Sequence, residues 1–452
     1  MKRLLGFTQS PSYVPLLLFL LLVGLYALRP LVVEYQQYSW ASTHYLVNYQ
    51  EFGFIKRGFI GTILTELGIP VTRWTLVFLG TGIVVSLFVM AMVFFRWATQ
   101  EVGRHTPFVR NLAILCALSP GTFLHFSYDL CRFDTINVIL LMGAIMIVPR
   151  GRGWYAGALA AIGMLIHEVF ILACYPVLLL VGLTHEGRGK GEEGEGGSSG
   201  HRRRRQVGLT HGEGGRGMGG GRRRRAPAPA HVHLGKSLVS RWPRLNWSLL
   251  PGLLTFPLVA ILCIAFFGAY EGNIERLTAK LQTHAHTVSS MTYIDSILMN
   301  KDIAQVWTRS VTDNIQYTLG FHAGRAKRTT SEMLLAVTDR FMLLVVLWFY
   351  MQVFLKAFGL NWLTLSPLSI VPLFFLATDM YRWGALAITN MFIVSLVMIK
   401  RGIAVHDPEF ASPRLSYWGR RLWLLGPFGD HWAYGRRKMA DAFEVLQRYF
   451  AG

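Results

Sequence analysis

The sequence predicts an all-α, polytopic integral membrane protein with about ten transmembrane helices and both termini on the cytoplasmic side. Three observations predict it. Of 452 residues, 52% are hydrophobic and only 15% are charged, with a mean hydropathy of +0.37; a soluble globule does not carry that balance. The apolar residues gather in stretches near membrane-spanning length. The Lys and Arg of the short connections fall on one side of those stretches.

The expected spans are 13–33, 75–96, 111–127, 135–149, 154–166, 169–183, 247–270, 340–358, 364–378 and 384–399. Helices are the natural element here, because an open backbone cannot face lipid. The first span follows Lys2 and Arg3 and resembles a signal peptide. Its apolar core is long enough to cross and no small-residue cleavage site follows, so it reads as a retained helix. The run 154–183 is interrupted only by His167-Glu168, which predicts a tight hairpin.

Orientation follows from the basic residues. Placing the N-terminus inside puts Lys2, Arg3, Arg104, Arg110, Arg150, Arg152, Lys400 and Arg401 all on the cytoplasmic side. It also leaves an even number of spans.

Four blocks result. Residues 1–183 form a first membrane part of about six helices, with an external loop at 34–74. Residues 184–246, with "HRRRR", "GRRRR" and "APAPA", form a basic Gly/Arg-rich cytoplasmic loop whose composition predicts disorder. That loop either attracts anionic lipid headgroups or RNA, or is a solvated linker that obeys the positive-inside rule. Residues 247–400 form a second part of about four helices, with a polar external loop at 271–333 that is compatible with helix. Residues 401–452 form a basic cytoplasmic tail; "RRKMADAFEVLQRYF" suits an amphipathic helix on the membrane surface or packed on the cytosolic loops.

The net charge of +20 would suggest nucleic acid in a soluble protein. Here topology accounts for it, and no nucleic-acid partner is expected. Cys116, Cys131, Cys174 and Cys263 form no Cys-x-x-Cys pair, so neither a disulfide framework nor a cysteine metal site is read.

The remaining charges converge on the outer side. "YDLCRFD" places Asp129, Arg132 and Asp134 between two spans, His167-Glu168 occupy the next outer turn, and "TDMYRWG" places Asp379 and Arg382 at the last. Ionisable groups near membrane depth are costly, so three such turns mark a candidate site. Asp129/Arg132 and Asp379/Arg382 share the i,i+3 spacing of one helical face. They serve either as self-satisfied ion pairs or as an anion-holding guanidinium with an orienting or proton-accepting carboxylate. Asp134 reads equally as a helix cap. His167-Glu168 lack a His-Glu-x-x-His setting, so a zinc-peptidase reading fails; they are a proton acceptor or headgroup contact, or a buried hydrogen-bonded pair. In "QEFGFIKRGFIG", Lys56 and Arg57 either hold a lipid-linked phosphate while phenylalanines anchor in the acyl region, or snorkel from an interfacial helix. His284 and His286 lack further ligands at metal spacing.

On "EFGFIKRGFIG", "YDLCRFD", "LIHEVF" and "TDMYRWG", and on layout, the chain resembles the GT-C-type membrane glycosyltransferases and the polymerases of lipid-linked polysaccharide units. The resemblance implies a polyprenyl-phosphate-linked sugar donor at the outer face of a bacterial inner membrane. It implies a carboxylate base from the first external loop. That loop has no Asp, and Glu51 is the acid best placed beside Lys56-Arg57. Glu51, Asp129, Asp134, His167 and Glu168 are the expected catalytic groups; Lys56, Arg57, Arg132, Asp379 and Arg382 the expected substrate-binding ones. No cofactor is required; a divalent metal is compatible. Rival classes are a transporter or flippase, a non-catalytic subunit of an envelope complex, and a lipid-handling transferase or phosphatase acting on another headgroup.

Overall fold

The computed structural model describes residues 43–100, 107–128, 131–184, 246–288, 307–310, 330–376 and 379–403, with isolated positions at 313, 316, 317 and 421. The first expected span, the basic loop, most of the 271–333 loop, the tail and Asp129 lie outside the described residues. What is described is helical, with no strand among the described residues.

Four helices among the described residues are long and apolar enough to cross a membrane. They are α3 (Arg73–Thr99), α6 (Phe133–Ile147, extended by a 3-10 turn at Val148–Arg150), α10 (Leu250–Phe267) and α15 (Met380–Lys400). Two short helices, α1 (Tyr49–Phe52) and α2 (Gly58–Glu66), precede α3. Between the long helices lie α4 (Pro107–Leu118), α5 (Phe123–Tyr128), α7 (Gly153–Ile166), α8 (Phe170–Ala173) and α9 (Tyr175–Leu183). After α10 come α11 (Ile274–Val288), α12 (Thr330–Phe358), α13 (Trp362–Leu365) and α14 (Leu373–Leu376).

Burial ranks the helices. In α15, 89% of the spanning window is buried, against 28% in α3 and in α10. α15 is therefore the central helix, while α3 and α10 turn apolar residues such as Phe78, Val85, Phe266 and Phe267 outward. Large exposed apolar faces at spanning length belong against lipid. α7 and α10 approach backbone to backbone: a Cβ on Gly157 would strike the carbonyl of Gly252. Close crossing through small residues is how membrane helices maximise packing without a hydrophobic drive between them.

The structure corrects three expected spans. The stretch 111–127 is broken at Ser119–Thr122, between α4 and α5. Pro120 removes a backbone donor and Gly121 weakens the helix. The stretch 364–378 is α13, a 3-10 turn at Ser366–Ile370 and α14 rather than one helix; Pro367 and Pro372 interrupt it. The stretch 169–183 divides at Cys174, just before Pro176. Side chains cover carbonyls at the first and last of these breaks: Thr389 donates to Gly121 O (3.2 Å), Asn390 to Ala173 O (2.5 Å) and Ser369 to Leu172 O (2.7 Å). Irregular backbone at such depth is stable only when buried in protein this way.

Contacts sort the helix ends into two groups. Leu183 O accepts from Asn246 N at 2.6 Å, Arg401 donates to Thr184 Oγ1 at 2.7 Å, and Gly153 packs on Leu249. Gly153 and Leu183 thus meet the same segment, so α7 and α8–α9 form a hairpin whose tip is His167-Glu168. At the opposite end lie Arg57, Asp134, His167, Glu168 and Arg382.

Candidate functional site

The side chains at this end come from four separate helix ends. Arg57 is the residue before α2 and has φ 66°. Cys131, three residues before Asp134, has φ 64°. They are the only non-glycine positions with positive φ among the described residues, and both fall in stretches already singled out. Such backbone costs energy and persists where the surroundings dictate it. Tyr45 Oη donates to Cys131 O (2.8 Å) and Cys131 Sγ to Leu76 O (3.1 Å), which fixes the approach to α6. Asp134 sits in the first turn of α6, His167 closes α7, and Arg382 lies in the first turn of α15.

The six groups join in one chain of contacts. Asp379 accepts from Arg382 Nη1 at 2.9 Å. Arg382 Nε donates to Asp134 Oδ2 at 2.5 Å, and Arg382 Nη2 lies 3.0 Å from His167 Nε2. His167 Nδ1 lies 3.4 Å from Glu168 Oε2. Arg57 closes the chain: Nε lies 3.0 Å from each Glu168 oxygen, and Nη2 bonds Oε1 as well. Asp134 and His167 are each 2% exposed, whereas Glu168 keeps 28% of its side chain exposed and Arg57 15%. The network is therefore dry within and open at the Arg57–Glu168 clasp.

The imidazole's proton follows from its neighbours. Val169 N–H points at Nδ1 from 3.2 Å, and Arg382 Nη2 points at Nε2 from 3.0 Å. A neutral ring has one acceptor nitrogen, so both cannot be hydrogen bonds. The Glu168 carboxylate beside Nδ1 and the shorter Arg382 contact favour a proton on Nδ1 and a lone pair on Nε2. Burial lowers the His167 pKa, Arg57 lowers it further, and Glu168 partly restores it. Burial and Arg57 thus favour the neutral ring. Burial raises the Glu168 pKa, but Arg57 and His167 together, by charge and hydrogen bond, outweigh it and hold the carboxyl well below its usual range.

The other expected residues divide. Lys56 flanks the site, its Nζ donating to Arg309 O at 2.8 Å; burial lowers its pKa while Glu168 raises it. Arg132 precedes Asp134 as the residue before α6 and acts on it electrostatically. Glu51 is not part of the network. It lies in α1, accepts from Asn48 Nδ2 at 3.2 Å and pairs with Lys280 of α11. Burial raises its pKa, and Lys280, Asn48 and Arg276 together more than reverse the effect. The carboxylate that pairs with Arg57 is Glu168, not Glu51. Sequence reasoning missed Asn137, whose Nδ2 donates to His167 O at 3.4 Å; it is an amide in the apolar run of α6, one turn after Asp134.

Among the described residues, no group of three His, Cys, Asp or Glu side chains could hold a metal ion. No protein-family model, curated protein or solved structure matches the chain.

Proposed function

We propose that this chain is a multi-pass inner-membrane glycosyltransferase or polysaccharide polymerase of bacteria. It would use a polyprenyl-phosphate-linked sugar at the outer face, with about ten spans and both termini inside. The observation that carries the reading is the union of Arg57, Glu168, His167, Asp134, Asp379 and Arg382 at one end of the helices. Cations beside an oriented imidazole are the parts that glycosyl transfer from a phosphate requires.

In this scheme Glu168 holds the Nδ1–H of His167, and Nε2 takes the proton of the acceptor hydroxyl. The acceptor oxygen bonds to the anomeric carbon as the bond from that carbon to the phosphate oxygen breaks. Polyprenyl phosphate leaves with the electron pair, and Arg57 and Lys56 receive its charge. Arg382 Nη2 covers Nε2 in this structure, so that end of the guanidinium must turn toward the phosphate, with Nε kept on Asp134, before the ring can act. A guanidinium fork that fits a carboxylate also fits a phosphate.

Transport of an anionic or lipid-linked substrate is the second reading. The breaks at Ser119–Thr122 and Ser366–Pro372 favour it, since discontinuous helices are common in transporters.

One experiment separates the two. Protein in proteoliposomes receives polyprenyl-phosphate donors carrying labelled glucose, galactose or mannose. Transfer that depends on His167 and Glu168 supports the enzyme. Movement of label across the bilayer without a new glycosidic bond overturns it in favour of transport.

A further inference from the structure

We infer that Asp134 and Asn137 together form a hydroxyl-binding subsite that recognises the sugar itself. The inference rests on the glycosyltransferase reading and adds the determinant that separates a sugar-bearing lipid from a bare lipid phosphate.

The argument begins with two oxygens. Asp134 Oδ1 and Asn137 Oδ1 are buried atoms with no hydrogen-bond partner among the described residues. Their residues are 2% and 1% exposed. At i and i+3 of α6 they occupy one helical face. Both side chains are already fixed by their other polar atom: Asp134 Oδ2 accepts from Arg382 Nε at 2.5 Å, and Asn137 Nδ2 donates to His167 O at 3.4 Å. Turning the Asn137 amide over would set its oxygen against the His167 carbonyl, so the orientation is dictated by the network. Two acceptors on one face of α6 are thus left without donors, with Asp134 Oδ1 3.9 Å from His167 Nε2.

Acceptors buried this deeply demand donors, because each unmet one costs on the order of 1–3 kcal/mol. A cation is a poor candidate, since the Arg382 guanidinium already occupies Asp134 and lies beside the pair. A neutral group with two donors fits best, and adjacent sugar hydroxyls supply two. The subsite complements the rest of the network: the guanidinium and ammonium groups suit phosphate, while these two oxygens suit hydroxyls. Asn137 is then a specificity-determining residue, not a catalytic one.

The test uses the full chain in detergent and native mass spectrometry. The probes are decaprenyl phosphate and decaprenyl phosphate carrying glucose, galactose or mannose. The wild type is expected to hold at least one sugar-bearing lipid about tenfold more tightly than the bare one, the effect of two hydrogen bonds of ordinary strength. Asn137→Leu should shrink that preference to within about twofold while leaving decaprenyl phosphate binding intact. Asn137→Gln, which keeps the amide but moves it, should reduce the preference without unfolding the protein, as the melting temperature checks. Equal affinity for bare and sugar-bearing lipids in the wild type overturns the subsite and leaves the phosphate site standing. Undiminished preference in both variants also overturns it. So does an ordered water bridging Asp134 and Asn137 that stays in place when the sugar lipid is bound. Failure to bind any of the four lipids sinks the glycosyltransferase reading itself.

Discussion

Arg382 and Asp134 lie 248 residues apart in sequence and meet at 2.5 Å, each almost wholly buried. The first turn of α15 is thereby fastened to the first turn of α6. Removing one partner of a buried pair strands the other charge. Arg382→Met should therefore destabilise the protein by about 3–5 kcal/mol, while the double variant Arg382→Met with Asp134→Leu should recover most of that loss. Unfolding of both in mixed detergent micelles measures the difference. A double variant no more stable than the single one would show that the pair does not hold α15 in place.

The Glu168 and Glu51 carboxylates should behave in opposite ways. Glu168→Gln or His167→Gln should lower sugar transfer by about 10²–10⁴-fold, the range of a lost general base or its orienting partner. Glu51 pairs with Lys280 at a partly exposed position, and exposed pairs contribute at most about 1 kcal/mol. Glu51→Gln should leave both transfer and stability near wild type. A collapse of activity in Glu51→Gln would restore the first-loop acid as the base.

Acid stability should report the two shifted groups in turn. The lowered pKa of His167 means that the unfolded chain binds a proton first, at about pH 6.5. Stability from this ring is full above that value and falls as pH drops through the lower folded pKa. Glu168 is also depressed, so its contribution is full above about pH 4.3 and is lost below it as pH passes the folded value. A denaturation series across pH should therefore lose its upper step in His167→Gln and its lower step in Glu168→Gln. Unchanged profiles would mean that neither group is perturbed.

The loop bearing Lys56 and Arg57 depends on one small residue. A Cβ at Gly61 would strike the Val47 carbonyl. Overpacking of this kind costs about 1–3 kcal/mol. Gly61→Ala should loosen the loop and raise protease sensitivity near Arg57, while Gly53→Ala, which has open space but φ 66°, should cost less. Limited proteolysis with mass mapping checks the order.

The long helices were legible because uninterrupted apolar runs leave few alternatives; α3, α6, α10 and α15 follow the hydropathy closely. The broken ones were not, because the runs 111–127 and 364–378 are apolar enough to read as single spans, whereas Pro120, Pro367 and Pro372 interrupt the backbone hydrogen bonding within them. Charges in an apolar chain exposed most of the site: Arg57, Asp134, His167, Glu168, Asp379 and Arg382 stand out by rarity alone. Their partners did not. Local spacing can suggest Asp379 with Arg382, but nothing local links Arg382 to Asp134 or Arg57 to Glu168. Glu51 was favoured by nearness along the chain, and the short helix α1 instead presents it to Lys280. Asn137 carried no charge and so gave no signal beyond its polarity within an apolar helix.

The position of α15 in the order of synthesis has its own consequence. Among the described helices it is the last to leave the ribosome, yet it occupies the centre and brings the guanidinium that neutralises Asp134. Until it arrives, α6 holds a carboxylate for which this partner does not yet exist, and the surrounding helices have no axis to close upon. The arrival of this helix is thus written into the fold as a charge balance, and a nascent chain stopped before residue 379 would hold an open bundle and an unanswered acid.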